Sequence, residues 1–223
     1  MLKFKVDDEE IYLLLPTPKE NVENSNVYFD WTQYLEVKES TVPNAGKGVF
    51  AKTDLPDDLA IPYFGELLSS EKKAVNKGSH VGTNTACPHQ YVVDAHPSLD
   101  KRGAFITGMV NEPGEGMNPP NMMMVGVKEW DIDKPSKQLP SLWCRAWRNF
   151  EQNNKLESGG IYFFTLRDIK KGEELLTFYN EEYQRNYPLW DSLSNIKSRR
   201  EKAIAAAMEA ERQRMQAERQ RME

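Results

Sequence analysis

From Glu174 to Tyr183 the chain reads ELLTFYNEEY. The apolar residues suit a strand, but a strand has no need of tyrosine at both 179 and 183. Tyr179 is either a core residue or the bearer of a hydroxyl at an apolar wall, where phenylalanine would offer only carbon. Two further stretches hold residues with chemical uses. NAGKGVFA, residues 44–51, sets Gly46 and Gly48 around Lys47. NEPGEGMNPPN, residues 111–121, places asparagine at both ends of a loop rich in proline and glycine.

Gly46-Lys-Gly48-Val-Phe-Ala51 satisfies the dinucleotide pattern G-x-G-x-x-G/A on paper. That pattern binds a pyrophosphate only where a helix begins directly after it. Lys-Thr-Asp-Leu-Pro-Asp-Asp follows here, no helix is expected, and a nucleotide site of that kind is set aside. The glycines still imply a close approach to the backbone or a turn with positive φ, as in a tight hairpin. His80, Cys87, His89 and His96 share one stretch, but without the C-x-x-C or H-x-x-x-H pairs of zinc sites. They read as loop residues, and no metal is expected. Asn111 and Asn121 either fasten their loop, whose backbone groups need partners, or serve a ligand. No Ser-His-Asp set, phosphate loop or local Cys-His nucleophile signature is present.

The order of the pieces is more specific than any one of them. Gly46–Ala51 is followed by Tyr63-Phe-Gly-Glu66, then by Tyr91-Val-Val-Asp-Ala95. The loop from Asn111 to Pro120-Asn121 comes next, then Asp168-Ile-Lys-Lys-Gly-Glu-Glu174 and Tyr179. From about residue 35 to residue 184 this series resembles the SET-domain protein-lysine methyltransferases. Their pattern runs G-x-G-V-F-A, Y-x-G-E, Y-x-x-D-A, R-F-I-N-H-S-C-x-P-N and D-I-x-x-G-E-E-L-T-x-D-Y.

The resemblance implies a mainly β SET-domain (β-clip) fold: small sheets, a knot-like C-terminal segment and a C-terminal α-helix. It implies S-adenosyl-L-methionine as cofactor, its methionine part held by backbone groups of Ala45, Gly46 and Lys47. Asn111 and the backbone of Glu112 would lie beside them, with Tyr179 at the same site. Tyr179 and Tyr63 would be catalytic, Tyr179 closing the signature and Tyr63 lining a lysine channel. The implied function is methyl transfer to a lysine amine of a histone or other protein. The alternative is a catalytically weak or inactive SET module that binds a protein partner.

Such a transfer needs an uncharged amine in line with the sulfonium methyl, at about 3–3.5 Å from it. A lysine ammonium loses its proton readily once desolvated, and aromatic walls supply that desolvation. The Tyr179 hydroxyl and nearby carbonyl oxygens would orient the amine and, through weak C–H···O contacts, the polarised methyl.

The sequence departs from the pattern at Gly108, Glu112 and Pro113, where the family has Arg, His and Ser, and at Phe178, where it has Asp. Any support those His and Ser side chains give must come from elsewhere. No cysteine cluster follows Tyr183, so no zinc-bound segment is expected there, and Tyr187 or Trp190 is expected to stack on the cofactor's adenine.

The elements that must position these residues are short apolar runs rich in Val, Ile, Phe and Tyr: YLEV, GVFA, YVVDA, FITGMV, MMMVGV, IYFFTL and ELLTFY. Each reads as a strand. They place a SET domain at 35–184, with its insert at 66–90 and a further insertion at 131–160, which two tryptophans suit to packing. Residues 1–34 read as an N-terminal extension and 185–223 as a charged helix. Ser194 is the expected N-cap of that helix. AERQRMQ recurs there as AERQRME, which sets Met208, Met215 and Met222 on one face. A coiled-coil seam needs a second apolar position per heptad, and this one falls on Glu211 or Arg212. A solvated single helix is the simpler reading, with a protein contact as its other use.

Composition agrees with a soluble domain plus extensions: 39% hydrophobic, 28% charged and a net charge of −5 over 223 residues. No half of the chain is strongly basic, so direct nucleic-acid binding is not expected. Residues 1–190 carry about seven excess negative charges, which favours a basic peptide substrate such as a histone tail by steering. The first ten residues lack a secretory apolar stretch, and Ile11–Leu15 is too short to span a bilayer. With two cysteines and no glycosylation sequon, these features fit an intracellular protein, nuclear or cytoplasmic.

Overall fold

A computed structural model describes residues 1–6, 9–21, 26–68, 80–84, 91–126, 149–156, 158–179, 181, 183, 185–199, 201, 202, 205, 209, 212, 213 and 216. The chain forms two compact units, residues 1–113 with 120–183, and residues 114–119 with 184–223.

The first unit is mainly β. A hairpin of β1 (Leu2–Val6) and β2 (Glu9–Leu13) opens the chain, and a second pairs β3 (Thr17–Asn21) with β4 (Asn26–Asp30). β5 (Leu35–Glu39) and β6 (Lys47–Ala51) form the hairpin that carries the paired glycines. β7 (Leu59–Pro62) accepts β2 in parallel on one side. On the other side it takes β12 (Ile161–Thr165), which pairs in turn with β11 (Met122–Gly126). The resulting five-stranded sheet has the order β1-β2-β7-β12-β11, so the N-terminal residues are strands of the main sheet. A three-stranded sheet sets β10 (Tyr91–Asp94) between β8 (Glu66–Leu68) and β9 (Val81–Asn84).

β12 shows why the order falls this way. Ile161, Tyr162 and Phe163 are all buried, so both faces of the strand are covered and it takes a central place. Leu14, Trp31, Val49, Ile61, Phe64, Val93 and Leu175 join Phe163 in one core, at about 1.5–3 kcal/mol for each large apolar side chain.

Two runs read as strands are built otherwise. In FITGMV, Ile106–Met109 winds into a 3-10 turn. A long apolar run does not distinguish strand from turn when every face is buried. The turn brings Gly108 against Ala95, whose carbonyl would lie 2.4 Å from any Cβ at 108, so an arginine does not fit there. ELLTFY is extended but joins no sheet, making single bridges from Glu174 to Phe50, from Leu176 to Asn111 and from Thr177 to Met122.

Of the 131–160 segment, residues 149–154 form a short helix. Phe150 stacks on Phe64, ring centres 6.1 Å apart, and Arg102 donates to the carbonyls of Asn154 (2.9 Å), the helix's last residue, and of Lys155 (2.8 Å) just after it. Trp143 and Trp147 lie outside the described residues.

In the second unit, Gly114 bridges to Leu189, and a helix begins at Leu193. Its N-cap is Ser192 rather than Ser194. The Ser192 hydroxyl accepts the Asn195 N–H at 3.2 Å, and Asp191 accepts the Asn195 side chain at 2.9 Å, which brings a negative charge to the helix start. The described helical residues from 201 onward are exposed, and Met208, Met215 and Met222 lie outside the described set. Among the described residues no helix is long and apolar enough to cross a membrane.

Candidate active site

The site begins at the β5–β6 turn. Its two glycines answer to different needs. Gly46 has φ +72° with nothing within 4 Å of a Cβ position, so it is there for the turn. At Gly48 a Cβ would sit 2.1 Å from Glu174 Oε1, so it is there for a close approach. Glu174 is only 6% exposed, and its carboxylate is ringed by donors. The Ser40 hydroxyl (2.6 Å), the Thr41 N–H (2.7 Å), the Thr41 hydroxyl and the Asn111 amide (3.3 Å) all donate to it. A buried carboxylate needs such partners, and hydrogen bonds to a charged group contribute roughly 1.5–3 kcal/mol each.

Asn111 links this turn to the rest of the site. Its amide also donates to the Lys47 carbonyl at 2.9 Å and to the Ser40 hydroxyl at 3.1 Å. Its backbone carbonyl accepts the Thr177 N–H at 2.9 Å. Asn121, at the far end of the loop, closes on the same segment. It donates to the Glu174 carbonyl and accepts the Leu176 N–H, both at 2.8 Å. The other side of the segment is bonded to β6, Leu175 N–H to Val49 and Ala51 N–H to the Glu173 carbonyl. Residues 173–177 therefore run between β6 and the 111–122 loop, the knot-like passage expected of the chain. Both asparagines fasten, and Asn111 Oδ1 takes no hydrogen bond among the described residues.

The threaded segment delivers Tyr179. Its hydroxyl donates to the Val110 carbonyl at 2.9 Å, and its N–H is held by Glu112 Oε1 at 2.8 Å. The ring meets Tyr183 edge to face, centres 4.9 Å apart. Tyr63 follows β7, is 3% exposed and packs edge to face on Phe163 at 5.7 Å. Burial pushes its phenol well above the ordinary range, and the neighbouring Tyr179 and Asp94 add to this. The fold thus brings the two expected catalytic tyrosines within electrostatic reach of each other. Thr107, in the turn that replaces the expected strand, donates to the Pro62 carbonyl at 3.1 Å and steadies the chain just before Tyr63.

Three of the expected cofactor residues form one short backbone stretch. The Ala45 N–H donates to Val42, the Gly46 carbonyl accepts Ser40, and the Lys47 ammonium pairs with Glu39. The Gly46 N–H and the Ala45 carbonyl have no partner among the described residues. A free donor and a free acceptor, beside the open space at Gly46 and the Asn111 Oδ1, suit the carboxylate and ammonium of an amino-acid moiety such as the methionine end of S-adenosylmethionine. Tyr187 and Trp190 belong to the second unit. His80 and His96 meet edge to face at 5.2 Å, and Cys87 and His89 lie outside the described residues.

Sequence reading missed the parts played by four residues. Glu174 stood in the quoted signature without a role of its own; its pairing with an obligatory glycine at 48 is the signal that separates it from Glu173. Ser40 and Thr41 precede the glycine motif and carried no signal. The side chain of Glu112 was passed over in favour of its backbone.

The SET domain family model matches residues 46–180, more than half of the sequence, and the chain belongs to the SET-domain family. No curated protein matches it. Among solved structures, the methyltransferase domain of human PR domain-containing protein 2 is similar at 18% identity, over 69% of this chain and 82% of that one, with a TM-score of 0.42. ATXR5 in complex with a mono-methylated histone H3.1 is similar at 18% identity over 70% of this chain, TM-score 0.42, and 60% of the ATXR5 chain is covered. The ctPRC2 complex, autoinhibited and bound to S-adenosylmethionine, is similar at 20% identity over 68% of this chain, TM-score 0.40, with 16% of that chain covered.

Proposed function

We propose that the chain is an S-adenosylmethionine-dependent protein-lysine N-methyltransferase. The observation that carries this reading is the double hold on Tyr179, hydroxyl to Val110 and N–H to Glu112, beside the buried Tyr63. S-adenosylmethionine, when bound, supplies a methyl group on a positively charged sulfur, an electrophile for an uncharged amine.

The chain's own residues do the rest. The Gly46 N–H, Ala45 carbonyl and Asn111 bind the amino-acid end. The Tyr63 and Tyr179 rings wall a desolvated approach, and desolvation lowers a lysine pKa toward the neutral amine. The Tyr179 proton is committed to Val110, so its oxygen presents lone pairs to the incoming N–H groups and to the methyl C–H groups. The Tyr63 phenol, its pKa pushed upward, stays protonated and adds no competing charge. The acidic balance of the chain and the lysine chemistry together favour a basic peptide, such as a histone tail, as substrate.

The test is titration calorimetry of S-adenosylmethionine into the purified chain, followed by methyl transfer to a library of lysine-containing peptides. Micromolar binding and turnover that falls roughly a hundredfold or more in Tyr179→Phe support the reading. No binding at millimolar cofactor by a folded protein, or wild-type turnover in Tyr179→Phe, overturns it; binding without turnover on any peptide leaves a SET module that serves as a binding domain.

A further inference from the structure

Glu112 stands where the family pattern has histidine, and it is 2% exposed. A carboxylate so buried is costly unless it is bonded, and here Oε1 takes the N–H of Tyr179 at 2.8 Å. The setting explains why that N–H needs a side chain. Asn111 and Leu176 form a parallel bridge, and the Asn111 carbonyl accepts the Thr177 N–H. The next rung of a parallel ladder would pair the Tyr179 N–H with the carbonyl of residue 113. The Glu112 carboxylate takes that N–H instead. Two residues earlier, the Val110 carbonyl takes the phenol hydroxyl of the same tyrosine. Three successive loop residues thus hold the segment 177–179, and two of them hold Tyr179, one at each end.

We propose that Glu112 is a positioning residue for methyl transfer, fixing the Tyr179 oxygen in the channel through the Tyr179 backbone N–H. The inference rests on the methyltransferase reading above and adds to it a residue at which this chain departs from the family pattern. A hydrogen-bond acceptor at 112 is what the role requires.

The test uses the full chain and its best peptide from the library. Glu112→Leu keeps bulk and removes the acceptor; Glu112→Gln keeps an oxygen acceptor and removes the charge. Glu112→Leu is expected to lower kcat roughly ten- to a hundredfold, with KM and the calorimetric cofactor affinity within about twofold, and Glu112→Gln is expected to restore most of the rate. The direct readout is the amide proton of Tyr179, one of nine tyrosine peaks in a 15N-tyrosine-labelled sample and identified by its loss in Tyr179→Phe. It should shift upfield in Glu112→Leu and stay near its wild-type position in Glu112→Gln. Wild-type kcat in a folded Glu112→Leu, an unmoved amide proton, or a Glu112→Gln as impaired as Glu112→Leu overturns the proposal. Should Glu112→Leu not fold, Glu112→Asp, with its carboxylate withdrawn by one methylene, must show the same loss of kcat at constant KM or the proposal fails. If the wild-type chain methylates no peptide, the methyltransferase reading falls, and the amide shift still decides whether Glu112 holds Tyr179.

Discussion

The β5–β6 turn and the Val110–Glu112 loop hold the same C-terminal segment by opposite means. The turn does it by lacking a side chain: Gly48 leaves room for the Glu174 carboxylate, which gathers Ser40, Thr41 and Asn111 around it. The loop does it by supplying side chains, Asn111 to the turn and Glu112 to Tyr179. A space can be kept only by glycine, whereas an acceptor can be supplied by several residue types. That difference fits the chain's keeping the family's glycine pattern at 46–48 and the asparagine at 111 while departing from its His-Ser at 112–113.

The largest test of the comparison is Gly48→Ala. The added methyl would lie 2.1 Å from Glu174 Oε1 and 3.2 Å from the Asn111 amide, so the carboxylate must leave its donors while remaining buried. Breaking such a site costs roughly 3–5 kcal/mol. Urea unfolding should show a loss of unfolding free energy of that size, read as the midpoint shift multiplied by the m-value, and cofactor affinity should be lost with it. A cost below about 1 kcal/mol would mean that Glu174 relocates freely, and the distinction between the two regions would fail.

Next in size is Asn121→Ala, on the loop side. It removes two buried hydrogen bonds, to the Glu174 carbonyl and from the Leu176 N–H, and should cost about 2–3 kcal/mol. Asn121→Asp keeps the acceptor but turns a buried carboxylate oxygen onto the Glu174 carbonyl, so its cost should be at least that of Asn121→Ala. A loss well below that of Asn121→Ala would show that the acceptor alone fastens the segment.

How much of this was legible in the sequence follows the same division. Gly46 and Gly48 could be read, because few residues satisfy a left-handed turn or a close approach, though which glycine did which needed coordinates. Tyr179 could be read because a tyrosine amid apolar residues asks what its hydroxyl does. Glu112 and Glu174 were hidden, since an acid in a sequence is a surface residue until its burial is known. The 3-10 turn at Ile106–Met109 was hidden for the converse reason: an apolar run buried on every side has no alternation to reveal its period. The helix cap was displaced by two residues because Ser192 and Ser194 are chemically alike, and only the Asn195 N–H chooses between them.

A third prediction reads, through pH, the tyrosine that neighbours the Tyr179 held by the loop. In the unfolded chain a tyrosine releases its proton near pH 10. In the folded chain burial, then Tyr179 and Asp94, hold the Tyr63 proton well above that. Above about pH 10 the folded state therefore binds more protons than the unfolded one, and stability falls as pH rises, by at most about 1.4 kcal/mol per pH unit for one group. Tyr63→Phe should flatten this alkaline limb in denaturant midpoints measured from pH 9 to 11. Gly46→Ala, on the turn side, should leave its slope unchanged.

Gly46→Ala itself carries the smallest expected effect on folding. Its φ of +72° favours glycine, but a Cβ there meets nothing within 4 Å, so the cost is local backbone strain alone, about 1 kcal/mol. Asparagine tolerates the left-handed region better, and Gly46→Asn should cost only a few tenths. The contrast with Gly48→Ala, two residues away, isolates conformation from space within one turn. It also separates folding from binding. If the Gly46 N–H meets the cofactor, a Cβ beside it intrudes on the ligand rather than on the protein. Calorimetry of Gly46→Ala should then show an affinity loss larger than the stability loss, and equal losses would place the ligand elsewhere.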